Sequence, residues 1–253
     1  MAQNELVKKL LEQEGYKVNI LTVSTKGDRD RKSSVTALGG NGPFVRDVEK
    51  ALLSEEADIA VHCVKDLPYE MAPGLCIAGM PDAADPRDCL ILRAGAAGKA
   101  ADKPLIIGTG SPRRISQLRT LSEKLSLQVE FKDIRGNITT RLEKLRSGEY
   151  DGIVLAKAGL DRIGANLSGF DVRILEPEEM IPAVGQGMLA CECRESDAEV
   201  KALLDRITPP ENYLRYEIER GIFCRFRCDC RSAVGIHARI SPNSADLLLM
   251  YEE

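Results

Sequence analysis

The chain has 253 residues, 43% hydrophobic and 29% charged, room for one large domain or two to three small ones and an ordinary balance for a globular protein. That composition excludes collagen-like, mucin-like and disordered classes, and apolar runs such as Ile153–Ala156 fall far short of the ~20 residues of a membrane span. A net charge of −4 and an aromatic content of 4% argue against a nucleic-acid partner, yet residues 86–174 carry 16 Lys+Arg against 10 Asp+Glu while the remainder carries 19 against 29, so a positive middle within an acidic chain points to a local site for anions.

The predicted elements alternate. A helix over 2–14, with Leu6, Leu10 and Leu11 on one face, is followed by a strand over Lys17–Val23. Helical spacing returns over Val45–Leu53 and leads into a strand at Ile59–Val61, then strands at Leu75–Met80 and Asp88–Leu92. Strand Pro104–Thr109, helix Pro112–Leu125, strand Gln128–Ile134, helix Ile138–Arg146 and strand Gly152–Ala156 follow in turn. This alternation predicts an α/β fold with parallel or mixed sheets covered by helices. A strand-like stretch, Ile181–Cys193, precedes two helices, Ala198–Arg206 and Glu211–Arg225, and a strand over Ala233–Ile240. Proline and glycine clusters at 81–86 and 176–182 mark boundaries, and Gly185-Gln186-Gly187 suits a crossing between units.

Both ends read as cut. The chain starts directly in a helix, and Leu247–Tyr251 reads as the first strand of a hairpin with no partner after it, an open edge that folded sheets avoid. No N-terminal export signal is evident, so a cytoplasmic protein is expected. Its eight cysteines, Cys63, Cys76, Cys89, Cys191, Cys193, Cys224, Cys228 and Cys230, are then expected as free thiols.

Four segments carry chemistry. His62-Cys63-Val64-Lys65-Asp66-Leu67-Pro68 ends a strand, where open α/β sheets bind ligands; an Asp capping a turn beside its neutralising Lys is the competing use. Gly108-Thr109-Gly110-Ser111-Pro112-Arg113-Arg114 is a strand-to-helix junction with Ser111 as N-cap and Pro112 at the first helical position. Two arginines oppose the helix dipole there, so an anionic ligand would explain them, as would simple solvation. Phe131–Asn137 repeats the arrangement, with Asn137 as N-cap. Arg113, Arg114, Arg135, Arg141 and Arg162 thus fall just past three successive strands; if these are parallel, all five approach one rim, suited to several carboxylates or phosphates. Finally, Cys224–Cys230 is rich in Cys and Arg. Its spacings fit zinc poorly, and the arginines favour a thiolate that could be nucleophilic or covalently modified. Cys191 and Cys193, alternating in a strand, read as core packing. No phosphate-loop, HExxH or GxSxG motif is present.

Together these segments resemble the porphobilinogen deaminase (hydroxymethylbilane synthase) family. The resemblance is carried by Ser24–Asp28, Gly39–Phe44, His62–Pro68, Asp85-Pro86-Arg87-Asp88, Gly108–Arg114, Ile134–Asn137, Leu155–Leu160, Ala183–Gly187, Glu219-Arg220, Cys230 and Val234-Gly235, all in the family's order. It implies two periplasmic-binding-protein-like domains with mixed sheets, 1–84 with 181–197 and 85–180, the active site in their cleft, and a small, here incomplete, α+β third domain over 198–253. It implies that Cys230 holds a dipyrromethane cofactor by a thioether, with Lys65, Thr109, Ser111, Arg113 and Arg114 also binding it. Asp66 would be catalytic, and Arg135, Arg141 and Arg162 would bind the side chains of substrate. The implied reaction removes ammonia from porphobilinogen and condenses four molecules head to tail on the cofactor, giving hydroxymethylbilane for tetrapyrrole and heme biosynthesis. A monomer acting on a small molecule, with no metal, nucleic acid or membrane, is expected. The family begins earlier, with a strand and a Gly-Thr-Arg-x-Ser-x-Leu-Ala segment, and runs on beyond residue 253. Asn41 stands where many members have Lys, and Cys228-Asp229 where many have Gly-Gly. A non-catalytic anion-binding α/β fragment or inactive relative is the second reading, a zinc-binding protein the third.

Overall fold

The computed structural model describes residues 2–23, 46–68, 70–99, 103–226 and 232–252. Ser24–Asp28, Gly39–Phe44, Cys228 and Cys230 lie outside the described residues. In chain order come α1 (Ala2–Gln13), α2 (Arg46–Leu53), β1 (Ala60–Cys63), a 3₁₀ turn (Val64–Asp66), β2 (Leu75–Ala83), β3 (Asp88–Arg93) and α3 (Ala96–Lys99). Then follow β4 (Leu105–Gly108), α4 (Pro112–Lys124), β5 (Val129–Lys132), α5 (Ile138–Ser147), β6 (Gly152–Ala156), α6 (Lys157–Arg162) and β7 (Phe170–Leu175). The last elements are β8 (Met188–Arg194), α7 (Ala198–Arg206), α8 (Pro210–Arg225), β9 (Ala233–Ser241) and β10 (Ser244–Glu252). The architecture is mixed α/β, and the chain forms two compact units, residues 1–83 with 188–229 and residues 84–187 with 230–253.

In the first unit β8 is the central strand of an antiparallel sheet ordered β1-β8-β2. Alternation along β8 sends Leu189, Cys191 and Cys193 to one face, where Val7 and Leu11 of α1 and Leu203 and Leu204 of α7 cover them. Met188 and Ala190 face the other way, onto Val64, Leu67 and Met80. Asp197 caps α7 by accepting from Val200 N at 3.0 Å.

The second unit carries a five-stranded sheet, β5-β4-β6-β3-β7. β4 runs parallel to β5 and β6, whereas β3 runs antiparallel to β6 and β7. All five residues of β6 are buried, because helices cover both faces. Ile153 and Leu155 pack with Leu142, Leu145 and Leu160 on one side; Val154 packs with Leu118, Leu121 and Leu175 on the other. The helices start where local chemistry dictates. Ser111 Oγ accepts from Arg114 N at 3.5 Å with Pro112 in the first turn of α4, and Asn137 Oδ1 accepts from Thr140 N at 2.8 Å at α5. Gly148 ends α5 in the left-handed conformation with φ 85°, the usual glycine C-terminal device.

Three sequence expectations are corrected. Lys17–Val23 joins no sheet; its Val18 instead packs against the first unit's core. The strand expected over Ile181–Cys193 begins only at Met188, because Gly185 and Gly187 adopt φ of 64° and 91°. Leu247–Tyr251 belongs to the second strand of a hairpin: β10 pairs antiparallel with β9 along its length, Ser244 opposite Ser241. No helix among the described residues is long and apolar enough to cross a membrane.

Gly187 is also where the chain leaves the second unit. A Cβ there would lie 2.3 Å from the carbonyl oxygen of Ala84, whose amide donates to Gly187 O at 3.1 Å. Gly187→Ala combines a backbone clash with a left-handed φ, and is expected to lower the unfolding free energy by about 2 kcal/mol or more; urea unfolding measures it.

Candidate catalytic and anion-binding site

In the first unit, β1 runs into the Val64–Asp66 turn, whose anchors are the buried side chains of Val64 and Leu67. The polar face of α8 holds the turn from behind. Arg220 donates to Leu67 O at 3.4 Å and to Pro68 O, while Arg215 and Glu219, one helical turn apart and buried, pair at 2.7 Å. With both flanks fixed, Lys65 and Asp66 are exposed, on a backbone that cannot easily turn them inward. Beside the turn, His62 Nε2 lies 2.9 Å from Oε2 of the fully buried Glu192. The other oxygen, Glu192 Oε1, has no hydrogen-bond partner among the described residues. Burial first, and then the negative charge of Glu192, raise the pKa of the nearby Glu49 carboxyl against the pull of His62 and Arg46.

In the second unit, the three strands that precede the five arginines are parallel, in the order β5-β4-β6. Their carboxyl ends therefore share one rim of the sheet. The arginines divide into two kinds. Arg113 and Arg114 meet inside the unit around one carboxylate, that of the fully buried Asp88 at the start of β3. Arg113 Nη2 donates to Asp88 Oδ2 at 2.7 Å and its Nη1 to Ile181 O at 2.7 Å. Arg114 Nη2 donates to Asp88 Oδ1 at 2.7 Å and its Nη1 to Val154 O at 3.0 Å. Burial alone would raise the Asp88 pKa, but Arg113 and Arg114 together overcome it and hold the group at about 2. The counter-ion that the two arginines of α4 require is thus an internal one.

Arg135 is exposed and Arg141 half-buried. Arg135 meets Asp133 at 3.2 Å in an exposed pair, worth little in water. Arg141 Nε donates to Gly136 O at 2.7 Å, and burial, then the charges of Arg114 and Arg135, lower its pKa. Arg141 thus lies within range of the like charges of Arg114 and Arg135. Arg162 donates to Gly187 O. Thr109 is buried, and its Oγ1 accepts from Ser111 N at 3.2 Å, which braces the loop from which α4 starts. Gly110 lets Asp133 approach closely: a Cβ there would lie 2.3 Å from Asp133 Oδ1. Among the described residues no group of three or more His, Cys, Asp or Glu side chains is placed to hold a metal ion.

Sequence reasoning found the arginines but gave no role to Asp88, to Arg220 or to the His62–Glu192 pair. The signal for Asp88 was a lone carboxylate opening the otherwise apolar strand Asp88–Leu92.

The family described as porphobilinogen deaminase, dipyrromethane cofactor binding domain, matches residues 1–202. The porphobilinogen deaminase of Exiguobacterium sibiricum is 39% identical over 251 residues, 98% of this chain and 80% of that protein. That of Bacillus subtilis is 46% identical over 193 residues, 76% of this chain and 60% of that protein. Among solved structures, the GluR0 ligand-binding core complexed with L-glutamate aligns over 89% of this chain and 88% of that chain, at 12% identity and a TM-score of 0.45. With a family match over most of its length and relatives this similar, the chain belongs to the porphobilinogen deaminase family.

Proposed function

We propose that the chain is a hydroxymethylbilane synthase, a transferase that deaminates porphobilinogen and condenses four molecules head to tail on a covalently held dipyrromethane. The family match over residues 1–202 carries this reading. The donor set of the second unit suits such a group. Arg141 has Arg114 and Arg135 as charged neighbours, and the acetate and propionate side chains of pyrroles are the partners that guanidinium forks bind best.

Within this reading Cys230 holds the dipyrromethane, and Lys65, Thr109, Ser111, Arg113 and Arg114 support it. The group supplies the nucleophilic pyrrole carbon on which the product chain starts. Arg113, whose guanidinium is taken up by Asp88 and Ile181, contributes by fixing Asp88 and through it the orientation of Arg114. Arg135, Arg141 and Arg162 bind the carboxylates of incoming porphobilinogen. The exposed Asp66 carboxylate stabilises positive charge that develops on the substrate pyrrole nitrogen as ammonia departs, and accepts a proton as the new bond matures. The enzyme would work as a cytoplasmic monomer on small molecules, and its family organisation would place Cys230 in a third domain.

The intact mass of the purified protein, before and after incubation with porphobilinogen, tests the reading. A mass raised by a dipyrromethane, followed by a ladder of single pyrrole additions, is expected; Cys230→Ser should show neither. An unmodified mass in both wild-type samples would leave the non-catalytic anion-binding module as the function.

A further inference from the structure

Four cysteines share one face of the first unit's sheet. Cys191 and Cys193 of β8 point toward α1 and α7, and Cys63 of β1 and Cys76 of β2 pack against the same cluster. The register decides which sulfurs can meet. Cys76 stands directly opposite Cys193 in the β2–β8 ladder. Directly opposed residues of an antiparallel pair have Cα atoms about 4.5–5.5 Å apart, inside the ~4.4–6.8 Å that a disulfide spans.

The other pairings fail on the same grounds. Cys191 faces Val61 on β1 and Gly79 on β2, so no thiol stands opposite it. Cys63 faces Leu189, which leaves Cys191 a diagonal step of about 7–8 Å away, beyond the reach of a bond. Cys191 and Cys193, two apart on one strand, are separated by about 6.8 Å with side chains side by side, at the outer limit for a disulfide.

Accessibility differs within the favoured pair. Cys76 is partly exposed, whereas Cys193 is fully buried. Burial first, then the neighbouring Cys76, push the Cys193 thiol up to about 12. Cys76 is therefore the member that meets a reagent from solvent, and Cys193 the member that waits behind it.

We propose that Cys76 and Cys193 form a peroxide-sensitive dithiol that closes to a cross-strand disulfide. The Cys76 thiolate attacks one oxygen of hydrogen peroxide; the O–O bond breaks, and the other oxygen leaves as hydroxide and takes up the proton released when the thiol ionised. Cys76 becomes a sulfenic acid. The Cys193 sulfur then attacks Cys76 Sγ, the S–O bond breaks, and the hydroxyl departs with the Cys193 proton as water. The two thiols lose two electrons and the peroxide gains them. The new bond ties β2 to the central strand β8, and a dithiol reductant reverses it.

The test uses the whole chain, treated with hydrogen peroxide, alkylated under denaturing conditions and digested for mass spectrometry. A peptide pair joined through Cys76 and Cys193, lighter by two hydrogens and separated again by dithiothreitol, is expected. Cys76→Ser, a change at a partly exposed position, should yield no joined pair and an alkylated Cys193. The proposal is overturned if both cysteines are recovered alkylated after peroxide, if Cys76 stops at a sulfenic or sulfinic acid, or if Cys193 is found joined to Cys191.

Discussion

Replacing Asp88 by Asn is expected to lower the unfolding free energy by about 3–5 kcal/mol, the range seen when one partner of a buried ion pair is removed. The side chain keeps its shape but loses the charge on which two guanidiniums converge, at 2.7 Å each. Arg113 is only 4% exposed, so water cannot replace the lost carboxylate. The midpoint of urea unfolding at neutral pH should fall with little change in slope. The pH dependence gives an independent reading. Asp88 sits near 2 in the folded protein against an ordinary 3.8, a difference worth about 2 kcal/mol. Because the folded pKa is the lower one, that stability is fully present above about 3.8 and is lost as pH falls toward 2. The Asn variant should lack this acid limb.

Asp66→Asn should behave in the opposite way, leaving the fold intact and removing catalysis. The residue is exposed, and its turn is held by Val64, Leu67 and the Arg220 contacts rather than by its own carboxylate. Thermal unfolding is therefore expected to stay within about 0.5 kcal/mol of the parent. The rate of porphobilinogen consumption should drop by roughly 10²–10³, the usual effect of deleting one group that stabilises transition-state charge. A variant that keeps its rate would remove Asp66 from the mechanism. One that loses rate and stability together would make the residue part of the scaffold instead.

The contrast between Asp88 and Asp66 also shows what the sequence could reveal. Local signals were legible: Ser111 and Asn137 were readable as caps because a cap is chemistry over three residues, and β6 was readable from an apolar run. A common rim for the arginines was legible only on the condition that their strands run parallel, and Arg113 and Arg114 turn inward to Asp88 instead. Pairings between distant segments were not legible. Nothing near Arg113 in the chain announces Asp88, twenty-five residues upstream. The direction of the hairpin containing Leu247–Tyr251 depended on recognising that Pro242-Asn243 turns β9 back on itself, and β7, with its exposed Val172 and Ile174, lacked the apolar signature of a covered strand. Lys17–Val23 shows the reverse error, an apolar-rich stretch whose Val18 packs on the core without joining a ladder.

The order of β8 in the chain bears on how the protein is made. The five-stranded sheet draws all its strands from residues 88–175, so it can assemble as soon as that stretch leaves the ribosome. The first unit's sheet cannot close then, because among the described residues β1 and β2 both pair with β8 alone, and His62 meets Glu192 across 130 residues. Domains generally fold in the order of their synthesis, amino-terminal first. Here β1 and β2 must wait, with their apolar faces uncovered, until the later-synthesised strands of the five-stranded sheet are made and residue 194 has emerged. That interval is when this protein would most need a chaperone.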